Sequence, residues 1–93
     1  MGMDKNSAVD AAKKDLSARI GVPEGEITEV SVTEQEFPDM SLGAPVGDEM
    51  SAQMIASGWR IKLGAGGKNY EYRGDKYQLR LYDFNGSNFM VKS

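Results

Sequence analysis

The stretch Trp59-Arg60-Ile61-Lys62-Leu63-Gly64-Ala65-Gly66-Gly67-Lys68-Asn69-Tyr70-Glu71-Tyr72-Arg73 decides the fold. Trp59, Ile61 and Leu63 alternate with Arg60 and Lys62; a glycine-rich turn at Gly64-Ala65-Gly66-Gly67 follows, and Tyr70 and Tyr72 again share one face. Alternation with period two marks a strand with one face buried, and a short glycine turn joins two such strands antiparallel. Gly74-Asp75 is the next turn signal. Beyond it Tyr77, Leu79 and Leu81 alternate with Gln78, Arg80 and Tyr82, which predicts a third strand of the same meander. Asn85-Gly86-Ser87-Asn88 turns the chain once more, and Phe89-Met90-Val91 is expected as a short edge strand or a packed tail.

Upstream of the meander, Val9, Ala12, Leu16 and Ile20 recur at helical spacing. Ser7 is the expected N-cap, with Asp10 three residues on, and Gly21 followed by Val22 and Pro23 is the expected stop. Val30 and Val32 then alternate with Glu29, Ser31 and Thr33 as in a half-buried strand. The expected fold class is therefore α+β: one N-terminal helix near 7–20 packed on a mostly antiparallel sheet of three to four strands, near 27–36, 59–64, 68–73 and 77–84. The expected core is Val9, Ala12, Leu16, Ile20, Val30, Val32, Trp59, Ile61, Leu63, Tyr70, Tyr72, Leu79 and Leu81. All 93 residues form one domain in this reading, with 1–6 flexible and 38–58 a long irregular loop. Pro38, Gly43, Pro45, Gly47 and Gly58 punctuate that loop, and it either holds a short strand near Ser51 to Ala56 or is a functional segment.

Composition narrows the chemistry. With 40% hydrophobic and 27% charged residues the chain lies in the ordinary globular range. Its formal charge of −3, with both signs mixed along the chain, offers no basic stripe for a phosphate backbone, so nucleic acid is not expected as a partner. No apolar run is long enough for a membrane span. Histidine and cysteine are both absent, which removes the commonest metal ligands, nucleophile and neutral-pH base; no metal and no cofactor are expected. Carboxylates remain at Asp39, Asp48, Glu49, Asp75 and Asp83. They lack calcium-loop spacing, and an enzyme would need two of them converging in one concave site. No catalytic residue is assigned.

Phe37-Pro38-Asp39-Met40-Ser41-Leu42-Gly43-Ala44-Pro45, with Gly58-Trp59-Arg60-Ile61 and Tyr70-Glu71-Tyr72-Arg73, resembles a group of small bacterial domains carrying a Trp/Phe-Pro-Asp-x-Ser-Leu-Gly-x-Pro motif. The upstream Leu16, Arg19, Ile20, Gly21 and Val22 match as well. Those domains often stand behind an export or lipoprotein signal, so the resemblance implies an extracytoplasmic location. Ala44 stands where that group often has a cysteine, and Arg73 where a histidine is common. In topology and rhythm the chain is also similar to PepSY-type and cystatin-like domains, which implies protease inhibition or regulation. Gln53-Met54-Ile55-Ala56, however, lacks the Gln-x-Val-x-Gly motif of cystatins.

Three classes of function follow: a module binding another protein, a passive envelope domain, and a carboxylate enzyme. The first is preferred. Its candidate binding residues lie in the long loop: Asp39 and Ser41 as amide-capping residues flanking Met40, then Met40, Val46, Met50 and Met54 as adaptable apolar contacts, with Asp48 and Glu49 as a charged rim. Phe37 and Leu42 are expected to anchor the loop, and the bland alternative is that it simply covers an open sheet edge.

Overall fold

The computed structural model describes residues 3–92. Helix α1 (Lys5–Ile20) is followed by a short 3₁₀ turn at Glu24–Glu26 and by five strands: β1 (Thr28–Phe37), β2 (Ala56–Ala65), β3 (Lys68–Gly74), β4 (Leu79–Phe84) and β5 (Ser87–Lys92). They form one antiparallel sheet in the order β1-β2-β3-β4-β5. The α+β class is as expected, with five strands among the described residues instead of three or four. The fifth is the edge strand that was one of two alternatives at Phe89-Met90-Val91, and it runs from Ser87 to Lys92. Asn85 and Gly86, at φ 53° and 85°, form the two-residue turn that a hairpin needs. Gly66 and Gly67, both at positive φ, do the same between β2 and β3, so Gly64 and Ala65 belong to the strand.

The helix starts two residues earlier than expected. Asp4, not Ser7, is the N-cap, and its carboxylate accepts from the Ser7 amide at 2.8 Å. Lys5 and Asn6 thus form the first helical turn; of the segment expected to be flexible, Met1 and Gly2 lie outside the described residues. The C-terminal end is as read, with Gly21 left-handed at φ 71° and its amide donating to the Ser17 carbonyl.

One face of the sheet carries Ile61, Tyr72, Leu81 and Phe89 in a lateral row, with Leu63 beside Tyr70, and α1 packs there through Ala8, Val9, Ala12 and Leu16. Tyr72 is fully buried and its hydroxyl donates to Asp15 of the helix at 2.7 Å; burial, with the negative charge of Asp15, pushes its pKa up. Several expected core residues sit less deeply. Ile20, Val32, Trp59 and Tyr70 are partly buried at the rim, and Val30 is 50% exposed. A register shift between Glu29 and Ser31 explains Val30: one extra residue breaks the alternation and turns its side chain off the core face. Ile27 takes its place in the core.

The turn between β3 and β4 is built around Asp75. Its carboxylate accepts from the amides of Tyr77 and Gln78, so β4 starts at Leu79 rather than near 77, and Tyr77 is exposed. The short strand that was one alternative near Ser51 to Ala56 does not form: 51–55 has no strand pairing, and β2 begins only at Ala56.

Candidate functional site

On the sheet face opposite the helix, Arg60, Arg73 and Arg80 stand side by side, each directly across from the next on β2, β3 and β4. Three like charges in one row repel unless something neutralises them. Glu71 on β3 does so for Arg60 and Arg73, and the loop 38–55 for Arg80. The loop leaves β1 at Phe37, crosses this face toward β4 and β5, and returns to β2 at Ala56. It covers the second sheet face, not the sheet edge.

The crossing begins with a fixed turn. Asp39 Oδ1 accepts from the Ser41 amide at 2.9 Å, the Ser41 hydroxyl at 2.6 Å and the Gly43 amide at 3.2 Å, which hold its carboxyl below the usual carboxylate range, Ser41 contributing most. Leu42 and Gly43 then adopt left-handed conformations, φ 59° and 66°. For a leucine this costs about 1–2 kcal/mol. The strain is offset by what the turn achieves: Arg73 Nη1 donates to the carbonyls of Leu42 and Gly43 at 3.1 and 3.2 Å, and Arg80 Nη1 to that of Ala44 at 3.0 Å. A Cβ on Gly43 would lie 2.8 Å from Arg73 Nη1, so glycine leaves room for the guanidinium. That guanidinium also lies 3.7 Å from the Tyr82 ring centroid, and its Nε donates to Glu71 at 2.8 Å. Glu71 stands 3.4 Å from Arg60 Nε as well, so one carboxylate serves two arginines.

Further along, Gln78 Nε2 donates to the Met40 carbonyl at 2.7 Å and Asn88 Nδ2 to the Pro45 carbonyl at 2.9 Å. Leu42, Phe37 and Ala56 form a second small core with Met40 packed against it. Arg80, only 3% exposed, closes the arrangement by gripping both carboxylate oxygens of Glu49.

The candidate residues therefore divide. Asp39, Ser41 and half-buried Met40 are anchors of the crossing arm. Glu49, expected on a charged rim, is the latch to Arg80; Val46 is half-buried and its amide donates to Glu49 Oε1 at 3.1 Å. Asp48 and Met50 remain outward, Met50 at 96% exposure, and on the return arm Met54 and Ile55 are exposed at 63% and 70%. Arg73, Arg80, Gln78 and Asn88, which hold the loop, were not singled out from sequence. The available signal was that Arg73 and Arg80 share the parity opposite to Tyr72 and Leu81, on a face with no helix to cover it. Of the remaining carboxylates, Asp75 caps its turn and Asp83 is exposed at the end of β4. Among the described residues no three acidic side chains gather around one point that a cation would occupy, and no helix is long and apolar enough to cross a membrane.

The latch has a pH signature. Arg80, with help from the Val46 amide, holds the Glu49 carboxyl down to about 2 from an ordinary 4.5. A depressed carboxylate pKa contributes stability that is fully present above the unfolded-state value and is lost as pH falls through the folded one. The loop is therefore expected to stay latched at pH 5 and to release between about pH 4.5 and 2, with Asp39 acting in the same direction. Amide exchange at Val46, Ser41 and Gly43 checks this: protection should fall across that window, whereas Glu49→Gln should show weak Val46 protection already at pH 5.

No curated protein and no solved structure matches this chain. A family model described as a domain of unknown function, DUF8738, matches residues 9–81, a span from the first turns of α1 to Leu81 on β4 that contains the whole crossing loop and the arginine row. The chain belongs to the DUF8738 family.

Proposed function

We propose that this domain is a non-catalytic protein-binding module that presents the return arm 50–55 to an apolar patch on another protein. The observation that carries the reading is the exposure of Met50, Met54 and Ile55 within one short segment that follows the Glu49–Arg80 pair and is tied to the outgoing arm by the Met40 amide donating to the Ala52 carbonyl at 3.1 Å. Apolar side chains on an ordered arm lose little conformational freedom on binding, and methionine adapts its shape to a partner surface. An extracytoplasmic setting, and a protease as the partner, are supported by the resemblance to exported and cystatin-like domains and belong to the same proposal.

The test is a triple variant, Met50→Ser, Met54→Ser and Ile55→Ser, compared with the wild type for capture of partners from the envelope and medium of the source organism, alongside inhibition of a protease panel. Capture should fall at least about tenfold, equivalent to about 1.4 kcal/mol, while the thermal midpoint barely moves. Equal capture by both proteins, or no specific capture by the wild type, leaves the loop as the cover of the arginine face and the domain as a passive one.

A further inference from the structure

Among the described residues the outermost strand β1 has β2 on one side and no strand on the other. Beyond its bulge, from Ser31 to Phe37, it presents alternate amides and carbonyls outward, a template for a further strand. Among the outward polar groups one is already occupied, the Glu36 carbonyl accepting from Gln35 Nε2 at 3.1 Å. The helix leans toward β2 and β4 and leaves β1 less covered, so that a groove of about 520 Å³ opens between α1 and β1, with Val9 and Val32 at its floor and Lys5, Lys13 and Glu29 along its walls.

Charge selects what fits. Glu29, Glu34 and Glu36 lie on β1 with no lysine or arginine, so the strand bears −3; setting those three aside leaves eleven acidic residues against eleven basic ones in the rest of the chain. The formal net charge of the protein is thus equal to that of this one edge. Lys13 stands 3.9 Å from Glu29 and moderates that end, which leaves Glu34 and Glu36, both exposed, as the uncompensated pair. A second copy of β1 would bring glutamates against glutamates and is disfavoured at neutral pH. The other edge, β5, is six residues long, has an irregular register with β4, and carries one base in its described span.

We propose that β1 accepts a basic, extended peptide segment as a sixth, antiparallel strand, by backbone pairing along its outer edge. The register of β1 with β2 places Glu36, Glu34 and Val32 on the helix-side face, across from Ser57, Trp59 and Ile61. An antiparallel occupant reads them in reverse as basic, any, basic, any, apolar: two cations opposite Glu36 and Glu34, then an aliphatic side chain entering the groove beside Val32 and Val9. The proposal rests on the unpaired edge, the acids choosing its occupant. It concerns a surface other than the return arm and goes beyond the reading above.

Titration of the ¹⁵N-labelled domain with an acetylated, amidated Lys-Thr-Lys-Thr-Val-Thr peptide tests it. Amide shifts and new exchange protection are expected along 28–37, with binding weakened by raised salt. The Glu34→Lys, Glu36→Lys double variant, changed at two exposed positions, should keep its circular dichroism and bind about tenfold more weakly, because two attractive cross-strand pairs become repulsive. The same peptide with N-methyl groups on the pairing edge should not bind. Equal binding by the N-methylated peptide would reduce the effect to charge attraction and overturn the proposal. Unchanged binding by the double variant, shifts confined to 46–55, or absence of binding would overturn it as well; none of these bears on the serine variant of the return arm.

Discussion

Replacing Gly58 with alanine is expected to destabilise the domain by about 3 kcal/mol or more, the upper end of the cost of overpacking a rigid site. A Cβ built on Gly58 would lie 2.1 Å from the Gly74 carbonyl oxygen and 3.0 Å from the Asp75 Cβ. The obstacle is backbone, which has no rotamer to change, so the methyl forces β2 and β3 apart where Trp59 pairs with Gly74. The displacement would spread. Gly74 is itself buried, with Leu79 and Ala8 close to where its own Cβ would stand, and Asp75 organises the turn into β4. Urea denaturation of Gly58→Ala beside Gly25→Ala, where nothing lies within 4 Å, separates this from a general glycine effect. The Gly25 variant should stay within about 0.5 kcal/mol of the wild type. If Gly58→Ala does the same, the close strand approach is not a constraint on the fold.

The second large effect is expected at Arg80. Arg80→Met keeps most of the side-chain volume but removes the donors to the Ala44 carbonyl, to both oxygens of Glu49 and to Gln78 Oε1, the last at 2.7 Å. Breaking one side of a buried ion pair costs about 3–5 kcal/mol. Here the Glu49 side chain is 30% exposed and regains water once released, so a loss of about 2–3 kcal/mol is expected. The damage should be local: thermolysin should cut within 46–55 well before the rest of the chain unfolds, since α1 and its core lie on the other sheet face. Adding Glu49→Gln to Arg80→Met should recover part of the loss by removing the orphaned charge, and Arg80→Lys should rescue poorly because an ammonium lacks the planar fork that grips two oxygens. Global unfolding of Arg80→Met at the same denaturant concentration as loop cleavage would show that latch and core are one cooperative unit.

The meander was legible in sequence because its information is local. The period-two run Trp59-Ile61-Leu63, the Gly66-Gly67 turn and the answering Tyr70 and Tyr72 sit within fifteen residues of one another, and Gly21 stops α1 by a property of its own backbone. Composition likewise restricted the chemistry on offer, since a chain without histidine and cysteine lacks their reactions in any fold. Errors arose where one residue changes parity or where turn chemistry competes with alternation: the bulge that expelled Val30, the Asp75 turn that kept Tyr77 out of β4, and the Asp4 cap upstream of Ser7. Asp39 and Ser41 were readable as a fixed turn, because an aspartate two residues before a serine caps locally. Their neighbours were not. Glu49 has a rim residue's sequence context, and only folding brings it to Arg80, 31 residues away in the chain, while Leu42 and Arg73 meet across the same sequence distance. Local spacing therefore determined the helix and the hairpins; the tertiary structure decided which sheet face the loop covers, which charges become anchors and which apolar side chains stay outside, because Arg80 meets its counter-charge only when Glu49 is brought back from 31 residues away, while Glu71 serves Arg60 and Arg73 from within the sheet.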